Sequence, residues 1–166
     1  VFFSEGCAAA VVLVIGDSWA RFSHQYLAEY CFGTTVVNQG KTDTTAADWA
    51  NASNEWVRDA FSREKGSDYT HVWLSIGAND FIYKRGCWGN FTKVSEIVSP
   101  ALRLVKESAP IGTSILMTGY CTPKALPWGN CKTAELIQPL NDGIRAACDA
   151  EPACTFVDAT SACGGN

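Results

Sequence analysis

Ser18 stands where an apolar run, Val12-Leu-Val-Ile-Gly-Asp-Ser18, gives way to a segment of helical spacing. A hydroxyl on such a turn lies beside backbone N–H groups and the positive end of a helix dipole, which suits an acyl-transfer nucleophile. Ester hydrolysis also needs a base and donors aimed at the developing oxyanion. Gly40 follows a second apolar run, where a missing side chain would let its N–H approach a ligand. Asn79 follows a third, where its amide can donate. Each has a plainer reading alone: Ser18 as a helix cap, Gly40 as a left-handed turn residue, Asn79 as an Asx turn. Three such residues on successive strand ends favour a common site.

Histidine is the difficulty, because the chain has only two. His24 lies six residues beyond Ser18 on one helix, so it is about 9 Å along the axis and on another face. His71 opens the third strand, and five or six residues at about 3.3 Å each separate it from the far end. Both read as surface or boundary histidines.

The elements that must position these residues alternate. Strand candidates are 8–15, 35–38, 71–76, 114–118 and 155–157, and segments of helical spacing are 19–30, 45–63, 94–108 and 134–150. Pro139 predicts a kink or a late start in the last helix. Strands alternating with helices imply right-handed crossovers and a three-layer α/β/α sandwich around a parallel sheet, in one domain spanning residues 1–166. In such sheets function gathers at the carboxyl ends of the strands.

The eight cysteines contain no C-x-x-C pair, so zinc spacing is absent and disulfides are expected. Topology places Cys7, Cys31, Cys148 and Cys154 at the amino edge and Cys87, Cys121, Cys131 and Cys163 at the other. The expected pairs are Cys7–Cys31, Cys148–Cys154, Cys121–Cys131 and Cys87–Cys163. Sequons at Asn51 and Asn90 point to the same oxidising route, so a secreted glycoprotein is expected. Val1 in place of Met fits removal of a leader.

The net charge of -4 argues against a nucleic-acid surface, and the apolar run from Cys7 to Ile15 is too short to span a membrane. Gly40-Lys-Thr42 ends like a P-loop, but Thr35 stands where that motif needs glycine.

Gly16-Asp17-Ser18, Asn38-Gln-Gly40 and Gly77-Ala-Asn79-Asp80 together resemble, in order and separation, three blocks of the SGNH hydrolases, the GDSL-type esterases and lipases. The resemblance covers nearly the whole chain. It implies a flavodoxin-like sheet of order 2-1-3-4-5 and Ser18 as nucleophile. It also implies an oxyanion hole from the Ser18 N–H, the Gly40 N–H and the Asn79 side chain, and ester hydrolysis without metal or other cofactor.

The family's last block, Asp-x-x-His, has its nearest match in Asp158-Ala-Thr-Ser161, with serine in place of histidine. Two explanations arise: the chain as given stops before the histidine, or the base has been lost. The first is favoured, because a helix to cover the fifth strand would be missing with it; Asp158 is then a strand-end residue. The expected substrate is an acylated carbohydrate or a lipid or other small ester, and the expected state is a monomer. The competing reading is a non-catalytic module of the same fold that binds a carbohydrate or protein partner. Trp19, Trp88 and Trp128 would be its sugar-stacking candidates, while Trp49, Trp56 and Trp73 read as packing residues.

Overall fold

The computed structural model describes residues 10–30, 33–62, 68–83, 90–121 and 133–161. Its strands are β1 (Val11–Gly16), β2 (Thr35–Asn38), β3 (His71–Ser75), β4 (Ser114–Thr118) and β5 (Cys154–Val157). They form one all-parallel sheet in the order β2-β1-β3-β4-β5. Register sets Val14 beside Trp73 and Gly16 beside Ser75, so the β1 and β3 exits lie side by side.

Side chains alternate across a strand, and here both faces are apolar because both are covered. Leu13, Ile15, Val72, Leu74, Ile115 and Met117 face the larger core, under α2 (Ala46–Ala50), α3 (Trp56–Ser62), α4 (Val94–Ser108) and α5 (Thr133–Asp149). Val12 and Val14 face α1 (Ser18–Tyr30) on the other side, with Ala20, Leu27 and Trp73. The three-layer α/β/α architecture and the 2-1-3-4-5 order are therefore as the pattern and the resemblance imply.

The single helix expected over 45–63 is instead broken. α2 ends at Ala50, a 3-10 turn covers Ala52–Asn54, and α3 starts at Trp56. Asn51 is extended and turns its side-chain oxygen onto the Ser53 N–H, while Glu55 is left-handed at φ 54°. Asparagine competes for backbone donors in this way, and the break lets Trp56 meet the buried Trp49 edge-on at 5.5 Å. α5 starts at Thr133 and continues past Pro139, so the proline lies inside it.

Cys148 and Cys154 form the expected disulfide, closing the turn between α5 and β5. Cys121 is also disulfide-bonded, to a partner outside the described residues. Cys7, Cys31, Cys87, Cys131 and Cys163 lie outside them too, as do Trp88 and Trp128. Among the described residues no helix is long and apolar enough to cross a membrane.

Candidate active site

β1 leaves the sheet through Gly16, at φ 131°, and the Asp17 N–H donates to the Ser75 carbonyl at 2.9 Å. A Cβ on Gly16 would stand 1.9 Å from that carbonyl oxygen, so only glycine lets the exit of β1 press onto β3. Ser18 follows as the first residue of α1 and is partly buried. Asp17, not Ser18, supplies the cap: its Oδ1 accepts the Trp19 N–H at 2.9 Å. The Ser18 hydroxyl and N–H make no hydrogen bond among the described residues. The plainer cap reading of Ser18 is thereby replaced.

The exit of β2 is tied to the same place. The Lys41 N–H donates to the Gly16 carbonyl at 2.8 Å, and Arg21 on α1 reaches the Gly40 carbonyl at 3.2 Å. Gly40 is not left-handed, and its requirement is steric: an added Cβ would lie 2.7 Å from the Arg21 nitrogen. Its N–H already donates to Asn38 Oδ1 at 2.9 Å. Nothing in the sequence reading anticipated that capture.

After β3, Gly77 at φ 117° leads into a π-helical turn, Asn79–Tyr83, where a loop was expected. Such wide turns recur at functional sites. Asn79 is buried, and its Nδ2 donates to the Thr44 carbonyl at 2.8 Å. That bond uses one amide hydrogen; the second has no partner among the described residues. Asp80 Oδ2 accepts the Ala46 N–H at 2.8 Å, at the start of α2, beside the capping box of Thr45 and Asp48. Burial raises the Asp80 carboxyl above its usual range, partly offset by the bonds from Ala46 and Ala47. The three exits are thus cross-linked, with Ser18 between the β2 and β3 connections.

Beneath the turn lies a buried pair. Asp17 is 1% exposed, and its Oδ2 accepts the Tyr120 hydroxyl at 2.6 Å. Burial pushes the Asp17 carboxyl up from 3.8 to about 6, against the lowering effect of bonds from Tyr120, Trp19 and Ala20; nearby Asp80 raises it further. Burial and the Asp17 charge together push the Tyr120 phenol well above its usual value. Ser75 Oγ, also buried, has no well-formed hydrogen bond among the described residues, but it lies close enough to the Tyr120 hydroxyl to offset part of that rise.

The raised Asp17 value has a thermodynamic consequence. The unfolded carboxyl loses its proton near pH 3.8 but the folded one near pH 6, so this group's stabilising contribution is full at low pH. It falls by about 3 kcal/mol as pH rises through that window. Asp17→Asn cannot ionise. Its unfolding free energy relative to wild type should therefore rise by about 3 kcal/mol between roughly pH 4 and pH 7, read by urea titration. A difference that stays constant over that range would mean that Asp17 ionises in the fold as it does in the unfolded chain.

Neither histidine stands at the turn. His24 Nδ1 contacts the Arg21 carbonyl at 2.6 Å and Asn38 Nδ2 at 2.9 Å. His71 opens β3 at the opposite edge, its Nδ1 2.9 Å from Thr70 Oγ1. Asp158 follows β5, accepting from Thr160 and, at 3.1 Å, from Arg145; the Thr160 bonds hold its carboxyl below the usual range. Trp19 packs on the core, its ring 6.1 Å from that of Tyr120, so it lies under the site. No group of three or more His, Cys, Asp or Glu that could hold a metal occurs among the described residues.

The sequence reading assigned no role to Asp17, Asp80, Tyr120 or Asn141. A signal existed for three of them, and Tyr120 had none. Asp17 and Asp80 are carboxylates directly after buried runs, and Asn141 sits on the apolar stripe of α5, beside Leu140 and Ile144.

No family model and no curated protein sequence matches the chain. Solved structures do. A Streptococcus pneumonia protein named for platelet activating factor is 18% identical, with TM-score 0.67, over 95% of this chain and 69% of its own. An extracellular lipase from Streptomyces rimosus is 14% identical, with TM-score 0.63, over 92% and 81%. A Slackia heliotrinireducens protein assigned to the SGNH hydrolases is 16% identical, with TM-score 0.62, over 93% and 81%. With its sheet order and its three cross-linked strand exits, the chain has the fold of the SGNH, or GDSL-type, hydrolases.

Proposed function

We propose that this chain is a carboxylic-ester hydrolase that works through an acyl-enzyme on Ser18. The observation that supports it most is the Ser18 hydroxyl at the start of α1, which makes no hydrogen bond among the described residues and stands between strand exits bound to one another. Ser18 Oγ attacks the ester carbonyl carbon. Negative charge then gathers on the carbonyl oxygen, against the Ser18 N–H and the second amide hydrogen of Asn79. The bond to the alcohol breaks, the alcohol leaves with the proton, and water cleaves the acyl-serine to acid and free hydroxyl. Gly40 joins as a donor only when Asn38 releases its N–H.

The substrate class proposed is an acylated carbohydrate or a lipid or other small ester. The protein is proposed to be a secreted, monomeric, single-domain glycoprotein; Asn51 and Asn90 are both exposed, and the Cys148–Cys154 bridge suits an oxidising compartment.

One observation favours a second reading, a non-catalytic binding module of this fold: both histidines are engaged away from Ser18. A fluorophosphonate probe separates the two. Labelling located at Ser18 by peptide mass spectrometry, and lost in Ser18→Ala, is the result expected of the hydrolase. Binding of a sugar or protein with no labelling is the result expected of the module.

A further inference from the structure

A chain of polar contacts, buried from Asp17 to Asn141 and exposed at Thr160, joins the Ser18 turn to the loop that follows β5. Asp17 Oδ1 holds the Trp19 N–H at 2.9 Å and Oδ2 holds the Tyr120 hydroxyl at 2.6 Å. Tyr120 is clamped in turn by Asn141 of α5, whose Oδ1 accepts the Tyr120 N–H and whose Nδ2 donates to the Tyr120 carbonyl, both at 2.8 Å. Asn141 Nδ2 also lies 3.3 Å from Thr160 Oγ1, and Thr160 is bonded to Asp158. An amide 1% exposed inside an apolar helix is costly unless its bonds are made, and here they are made to a backbone segment, as a neighbouring strand would make them.

The order of these contacts assigns each a task. Asn141 fixes the Tyr120 backbone, the Tyr120 hydroxyl fixes the rotation of the Asp17 carboxylate, and that carboxylate fixes the amide next to Ser18. Two acceptor oxygens are needed at once, one for each donor. An ionised carboxylate supplies both, and charge strengthens both bonds. Protonation puts a donor on one oxygen and weakens the hold.

We propose that Tyr120 and Asn141 are positioning residues, which hold the Asp17 carboxylate and thereby the Ser18–Trp19 turn in the orientation from which Ser18 attacks. This rests on the reading of Ser18 as nucleophile. The titratable groups facing Asp17 are Tyr120, after β4, and Asp80, after β3.

The test follows the Trp19 backbone amide by heteronuclear NMR across pH, together with the rate of Ser18 labelling by the fluorophosphonate. In wild type both should show an inflection near the Asp17 value of about 6. Tyr120→Phe keeps the ring but removes the bond that favours the ionised carboxylate, so both inflections should move to higher pH by roughly one unit. At around pH 5 labelling should then slow by roughly tenfold, as the ionised fraction falls. Asp17→Asn should erase the amide inflection while leaving the rest of the spectrum dispersed. A Tyr120→Phe inflection that coincides with wild type would overturn the relay. An amide that titrates and shifts as expected, with Ser18 unlabelled at every pH, would uphold the contacts but overturn the positioning role, through failure of the serine reading itself.

Discussion

Turnover of an aryl acetate by this chain should fall about 10²- to 10³-fold in Asn79→Ala, and the acyl-serine, read by peptide mass spectrometry of the quenched reaction, should be absent in Ser18→Ala. The starting rate is itself expected to be low. With His24 and His71 both bonded elsewhere, the proposed site is an oxyanion site without imidazole, a kind that in serine hydrolases stripped of a triad member retains roughly 10³- to 10⁴-fold over water. Asn79 is the donor whose loss should matter most, because its second amide hydrogen has no partner among the described residues, whereas the Gly40 N–H is held by Asn38. Removing Asn79 also strips a bond from the Thr44 carbonyl, so stability must be measured in parallel. Acyl transfer to the protein that survives Ser18→Ala would remove Ser18 from the chemistry. Undiminished Ser18-dependent cleavage in Asn79→Ala would remove only the amide.

Gly16→Ala should be among the most damaging single changes to stability. Its Cβ would stand 1.9 Å from the Ser75 carbonyl oxygen and 2.8 Å from its carbon, and φ at 131° is a region that L side chains rarely adopt. Relief requires β1 and β3 to separate where the Asp17 N–H bonds to Ser75, at the centre of the sheet. A clash with backbone at an incompatible φ belongs with the rare losses of more than about 4 kcal/mol, a large share of the total stability of a domain this size. Urea unfolding should show a much lower midpoint or no folded baseline. A loss under about 1 kcal/mol would show that the exit of β1 has slack.

Much of the fold was legible because periodicity is local. A strand buried on both faces must be apolar throughout, as in Val12–Ile15, and an amphipathic helix must repeat its apolar residues every three or four, as in α4, whose limits matched the spacing. The break between α2 and α3 was not legible, because it depends on Asn51 choosing the Ser53 N–H over helix continuation, with the meeting of Trp49 and Trp56 on the other side. The sequence shows only part of why position 40 is glycine. The sequence suggests backbone freedom or an approach to ligand, but the constraint is the nearness of Arg21, nineteen residues earlier on α1.

By itself the sequence determined the layered parallel architecture and marked Ser18, Gly40 and Asn79 at three strand ends, because hydrophobic pattern and turn chemistry are carried by neighbours in the chain; the order of the strands came only through the resemblance to the SGNH hydrolases. Only the tertiary structure decided that Asp17 rather than Ser18 caps α1, that Asn38 takes the Gly40 N–H, and that Tyr120, held by Asn141, reaches the Ser18 turn. Those contacts join partners as much as 103 residues apart. A hydrogen bond at that separation is chosen by which groups burial strands without water, and burial is a property of the assembled layers.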